Sequence, residues 1–188
     1  MIFSETKLKG AYVVEVEPIA DERGFFSRGW CKREFEEHGL KADLCQCNIS
    51  GNKKAGTLRG MHYQKPPYAE TKFIRCIRGS VYDVIIDLRK GSDTYLRWEG
   101  VELTADNRKA LYVPEGFAHG YITLEDDSEV LYLTTQFYDH DSEDAVRWDD
   151  PAIGIIWPWN NLGSLIISEK DRKHRDWDDS RAIQIGEQ

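Results

Sequence analysis

A chain of 188 residues with 40% hydrophobic and 12% aromatic content carries enough apolar material for one soluble domain with a substantial core. Its net charge of −8 argues against nucleic acid or an anionic membrane as the main partner, because both reward a basic surface. No apolar run approaches the ~20 residues that cross a bilayer. The opening MIFSETKLKG lacks the basic start, apolar middle and small-residue cleavage site of a secretory leader, so the expected compartment is the cytoplasm.

No repeat, low-complexity tract or Gly/Ser linker divides the chain, which reads as a single unit over residues 1–188. AYVVEVEPI is a β-rich start. KREFEEHGL, residues 32–40, reads as a short helix with Phe35 and Leu40 inward and Gly39 near its end. TLRGMHYQKPPYAETK, residues 57–72, reads as strand, turn and strand, and carries Arg59, His62 and Lys72, none of which helps to build an apolar core. From there the pattern is β throughout. FIRCIRG, SVYDVIIDLR, RWEGVELTA, KALYVPEG, AHGYITLE and SEVLYLTTQFY are β-branched or aromatic runs separated by Gly, Asp, Asn or Pro, at the spacing of a sandwich or barrel. In VYDVIIDL, residues 82, 84, 86 and 88 share one face and Val81, Asp83, Ile85 and Asp87 the other. An antiparallel jelly roll would close such strands around an interior that holds a small ligand. The cysteines, Cys31, Cys45, Cys47 and Cys76, are expected to be free and mostly buried thiols, since C-x-C is not zinc-finger spacing and a cytosolic chain of this size needs no disulfides.

Arg59, His62, Lys72, His119 and Tyr132 all fall in expected strands or at their ends, where alternation can turn them inward together. Taken singly, each has an ordinary alternative: a structural histidine, a solvated edge lysine, a tyrosine packed in the core. A metal on the barrel would need a second good ligand two residues after His62, where this chain has Gln64. Glu70 and His119 would complete only a weak set beside the positive Lys72, so no metal is expected.

DERGFF, QCNIS, GTLRGMHYQKPPYAETKFIRCIRGSVYDVIIDLRKGSDTY, ELTADNRKALYVPEGFAHGY, EVLY, VRWDDPAIGIIWP and ISEKD follow one another with their spacing kept. In that order they resemble the successive motifs of the dTDP-4-dehydrorhamnose 3,5-epimerase family. The resemblance implies an all-β, cupin-type antiparallel jelly roll with a few short peripheral helices. It also implies a cofactor-free isomerase of nucleotide-linked 4-keto-6-deoxyhexoses in rhamnose-type biosynthesis, and a homodimer whose N-terminal segment is exchanged with or packed on the partner. By the same resemblance His62 is the general base, Asp171 its carboxylate partner, Lys72 the cation beside the ketone oxygen and Tyr132 the general acid. Arg23, Arg59, Gln46, Asn48, His119 and Lys170 match positions that contact the substrate. Glu143 matches another, although HDSEDAVRW reads equally as a solvated acidic loop, and Tyr138 could flank the sugar or base or simply pack. Arg28 stands where the family commonly has a glutamate near the nucleotide, a reversal of charge that bears on which base or sugar is recognised. The alternatives are inversion at C3 or C5 alone, 3,4-ketoisomerisation, a non-catalytic sugar-binding jelly roll and a metal-dependent cupin.

Overall fold

The computed structural model describes residues 1–159 and 162–184. In chain order its strands are β1 (Ile2–Glu5), β2 (Tyr12–Glu15), β3 (Ile19–Asp21), β4 (Gly24–Phe26), β5 (Gln46–Asn52), β6 (Thr57–Gln64), β7 (Lys72–Arg78), β8 (Ser80–Asp87), β9 (Trp98–Thr104), β10 (Ala110–Val113), β11 (Phe117–Thr123), β12 (Ser128–Thr134), β13 (Glu143–Ala145) and β14 (Ile166–Ile167). Helix α1 (Lys32–Glu37) lies between β4 and β5, and α2 (Glu169–Arg172) follows β14. One sheet has the order β1-β2-β10-β7-β12-β5 and the other β13-β6-β11-β8-β9, with β14 added in parallel to β6 and β3–β4 standing apart as a hairpin. Apart from β14, every pairing between these strands is antiparallel, as the jelly-roll expectation requires. Among the described residues no helix is long and apolar enough to cross a membrane.

Alternation along β8 builds two cores at once. Val81 and Ile85 join Ile74, Leu103, Leu111 and Val130 between the sheets. Val84, Ile86 and Leu88 face the other way, onto Leu58, Met61, Ile122 and Trp157, where the C-terminal segment covers the second sheet. A third cluster lies outside the first sheet, where Phe35 of α1 packs on Val14, Phe73 and Tyr112. Phe35 and Leu40 are buried as expected, and Gly39 ends the helix at a φ of +71°, which glycine adopts without Cβ strain.

Several boundaries differ from the sequence reading. AYVVEVEPI is two strands, β2 in a sheet and β3 in the hairpin, and SEVLYLTTQFY leaves its sheet after Thr134. The cysteines are all free, but only Cys76 is buried, and burial pushes its thiol up to about 11. Cys47 is exposed because β5 is an edge strand whose outer face, with Ile49 65% exposed, nothing among the described residues covers, and Cys45 is exposed just ahead of that strand.

Strict alternation would put Arg59 and His62, three residues apart on β6, on opposite faces. A register shift between β6 and β11 changes the parity: His119 lies opposite His62 and Tyr121 opposite Arg59. Two glycines permit it. Gly60 sits at a φ of +141°, and a Cβ there would come within 2.6 Å of the Gly120 Cα, a separation that only bare backbone allows.

Candidate active site

The shift turns Arg59, His62, His119 and Tyr121 of the second sheet toward Lys72 on β7 and Tyr132 on β12 of the first, around a cavity of about 220 Å³. An adjoining cavity of about 370 Å³ shares His62, Lys72 and Tyr132 and extends the site past Gln46, Asn48, Tyr138 and Glu143. Even-numbered β5 residues point inward, so Gln46 and Asn48 line the second cavity and Ser50 the first; Gln46 also donates to Asn48 at 3.0 Å.

His62 is anchored through Nε2, 2.8 Å from Asp171 Oδ1. Asp171 is brought there by α2, whose first turn is capped by the Ser168 hydroxyl accepting from the Asp171 N–H. Burial alone would raise the Asp171 carboxyl. The hydrogen bond and charge of His62, with the Gly60 N–H donating at 3.3 Å, hold it below the usual range, so it faces the ring as a carboxylate. Such a partner fixes the proton on Nε2 and leaves Nδ1 as the basic nitrogen. Lys72 is buried beside it, donating to the His62 carbonyl at 3.3 Å and paired with Glu70 at 3.1 Å. An ammonium has three donors, so one remains for a ligand. Burial, together with the nearby Tyr121 and Glu70, raises the Tyr132 phenol, which therefore keeps its proton near neutrality.

Around this centre, His119 Nε2 lies 2.9 and 3.0 Å from the two oxygens of the fully buried Asp83. Arg59 is exposed and donates through Nε to Asn52 at 2.9 Å. Glu143 is no solvated loop residue. It pairs in register with Gln64 and accepts from Lys170 at 2.6 Å and from the Tyr138 hydroxyl at 3.0 Å. Although burial opposes it, those two contacts hold the Glu143 carboxyl below its usual range. Tyr138 is 56% exposed, so it rims the site and is not core packing.

Two expected residues do not join the site within one chain. Arg23, on the β3–β4 turn, bonds only to its neighbour Asp21, and Arg28 bonds to Glu34 at 2.7 Å; neither lines the cavities with His62. The reason is the hairpin, which stands off the sheets with Ile19, Phe25 and Phe26 exposed.

Asp83 escaped the sequence reading as a site residue, Glu70 entered it only as a weak metal ligand and not as the partner of Lys72, and His174, outside both cavities, was not singled out. Asp83 could have been found from its place on the inward face of β8, where a buried carboxylate demands a partner. His174 lies three residues after Asp171 and brings Nε2 to 3.4 Å from the same Oδ1 that serves His62. Burial, and then the neighbouring His62, lower the His174 imidazole. Gln64 is occupied structurally, donating to the carbonyls of Tyr68 and Phe137 and accepting from the Asp139 N–H at 2.7 Å.

Comparison with known proteins gives this arrangement a context. The family described as dTDP-4-dehydrorhamnose 3,5-epimerase matches residues 5–179. A protein of that name from Methanothermobacter thermautotrophicus is 45% identical over 170 residues, covering 90% of this chain and 91% of its own. The crystal structure of the enzyme of that name from Bacillus anthracis, with TDP and PPi bound, superimposes with a TM-score of 0.89 at 40% identity, covering 94% of this chain and 99% of that one. The Legionella pneumophila dTDP-6-deoxy-D-glucose-3,5-epimerase, in complex with dTDP-4-keto-L-rhamnose, superimposes with a TM-score of 0.90 at 31% identity over 99% of both chains. With profile, sequence and fold agreeing over nearly its whole length, the chain belongs to the dTDP-4-dehydrorhamnose 3,5-epimerase family.

Proposed function

We propose that this protein is an isomerase that inverts C3 and C5 of a nucleotide-linked 4-keto-6-deoxyhexose, dTDP-4-keto-6-deoxyglucose being the expected substrate, by removing and returning protons through an enolate in rhamnose-type biosynthesis. The observation that carries the reading is the 2.8 Å pairing of His62 with Asp171 in a cavity that Lys72 and Tyr132 enter from the opposing sheet. Hydrogens at C3 and C5 both flank the C4 ketone, so one base and one electrophile can serve both. His62 Nδ1 takes the proton, and the C–H electrons move into the ring and place the charge on the C4 oxygen. The Lys72 ammonium meets that oxygen in a water-poor cavity, where a fixed cation stabilises developing charge by about 3 kcal/mol. Tyr132 then returns a proton to carbon from the other side, and inversion follows because base and acid come from facing sheets. Asp171 holds the tautomer and stabilises the imidazolium.

The nucleotide is assigned to the outer cavity, with Arg59, Gln46, Asn48, Lys170, Tyr138 and Glu143 as contacts and His119 at the sugar. Arg23 and Arg28 belong to an N-terminal arm, residues 19–28, that reaches the site of a second copy in a homodimer. The apolar exposure of the hairpin and the two arginines without a role in their own chain's cavity support this assignment. Arginine's planar fork suits diphosphate oxygens. The decisive test is incubation with dTDP-4-keto-6-deoxyglucose in deuterium oxide, following C3 and C5 by NMR. Deuterium with inversion at both carbons is expected; inversion at one alone gives a single-centre epimerase, and a 3-keto product gives a ketoisomerase.

A further inference from the structure

On the far side of His62 from the substrate cavity, the His62–Asp171 pair is joined by a third donor, His174, that the reaction does not use. His62 Nε2, Asp171 Oδ1 and His174 Nε2 all lie within 4.8 Å of one another, with separations of 2.8 Å and 3.4 Å on the carboxylate. His174 Nε2 is buried and faces that carboxylate at 3.4 Å without making a well-aligned hydrogen bond to it or to any other described residue. A buried ring nitrogen without a well-made hydrogen bond calls for an explanation, and a bound ion is one. Asp171 and His174 are three residues apart across the end of α2, so they present on one side of the same turn, while β6 delivers His62 from across the gap.

We infer that His62, Asp171 and His174 form a zinc site whose occupation switches the enzyme off. Two imidazoles and a carboxylate are good ligands for this ion. Tetrahedral bonds of ~2.0–2.1 Å would place ligand atoms roughly 3.3 Å apart, within a small rotation of the separations found here. A cleft of about 430 Å³, lined by Thr57, Ile167, Ser168 and Lys170, reaches two of the three ligands, His62 and Asp171, and gives an ion a path to them. No comparable set exists on the barrel side among the described residues, since Gln64 is committed to its loop and His119 to Asp83.

Loss of activity follows from the imidazole tautomer, and so rests on His62 being the base. In the metal-free site Asp171 keeps the ring proton on Nε2, and the lone pair of Nδ1 faces the substrate. Zinc needs the Nε2 lone pair. The proton therefore moves to Nδ1 of the same ring, nothing leaves or enters, and the nitrogen that should accept the C3 or C5 proton already carries one.

The test uses the full chain freed of metal, titrated with zinc chloride by calorimetry and with cobalt(II) chloride by visible absorption. One equivalent of binding, tetrahedral cobalt bands, and loss of deuterium exchange at C3 and C5 that a chelator reverses are expected. His174→Gln, which keeps the size of the side chain, and His174→Ala should each weaken metal binding by about 10²-fold or more. Both should leave metal-free exchange within a few-fold of wild type and make it resistant to zinc. Equal zinc affinity in wild type and both variants, or no tetrahedral cobalt spectrum, overturns the site. Tight binding at His174 with undiminished exchange overturns the tautomer switch. Tight binding by a protein with no exchange activity even when metal-free upholds the site and refutes the epimerase reading.

Discussion

The cavity around His62 and the hairpin β3–β4 make opposite demands on the same chain. The first is assembled from both sheets, with Lys72, His119 and Asp171 buried and His62, Lys72 and His119 each held by a named partner. The second exposes Ile19, Phe25 and Phe26 to solvent and ties Arg23 only to Asp21. Chemistry that moves protons needs groups fixed to a fraction of an ångström in low dielectric, which a folded barrel supplies by itself. Gripping a charged nucleotide tail tolerates a looser arm, and an arm can be lent.

Several experiments would sharpen or break this contrast. The largest effect is expected for His62→Ala, which should cut deuterium exchange at both carbons by up to about 10⁴-fold with the circular dichroism spectrum unchanged. Exchange near the wild-type rate at either carbon would remove His62 from the mechanism. Next, Tyr132→Phe should separate two rates that wild type keeps together. Inversion should fall by about 10²-fold or more while exchange with retention persists, because His62 can return the proton it took. Equal, small losses in both would make Tyr132 a packing residue and Tyr138 the next candidate. Arg23→Ala should act on the arm alone, raising KM by about tenfold or more with kcat little changed. Phe26→Asp should reproduce that KM and yield a monomer in sedimentation if the arm docks on a second copy; a dimer with wild-type KM would break the comparison. Last, exhaustive chelation should not lower kcat, and a loss restored by a divalent ion would mean that a metal takes part in the chemistry.

The sequence made the sheets legible because β8 obeys the period of two so strictly that both of its faces could be assigned. His62, Lys72 and Tyr132 were legible through a resemblance carried by ordered motifs, and the cavity they share supports that grouping. What could not be read is instructive. Arg59 and His62 have the wrong parity to share a face, and only the register shift at Gly60 reconciles them, a feature that alternation cannot anticipate. The four cysteines were expected to be mostly buried, as cysteine usually is, and Cys45 and Cys47 are not. Nothing in a linear pattern says that β5 will be an edge with a bare outer side. Asp83 had its face of β8 assigned but no partner, and Glu70 was weighed only as a weak metal ligand; which group each serves, His119 or Lys72, shows only when the pairs stand side by side.

The exposed hairpin has a consequence for inheritance. If the arm completes a neighbour's site, two chains damaged in different places can repair each other. In a mixed dimer of Arg23→Ala and His62→Ala chains, the Arg23→Ala chain keeps its own His62 and receives an intact arm from its neighbour, while the other site carries both lesions. One good site per mixed pair should return activity at low substrate that neither parent shows alone. A cell holding two differently broken copies of this gene would then make the sugar, and defects would fall into complementing groups: the arm in one, the barrel in the other.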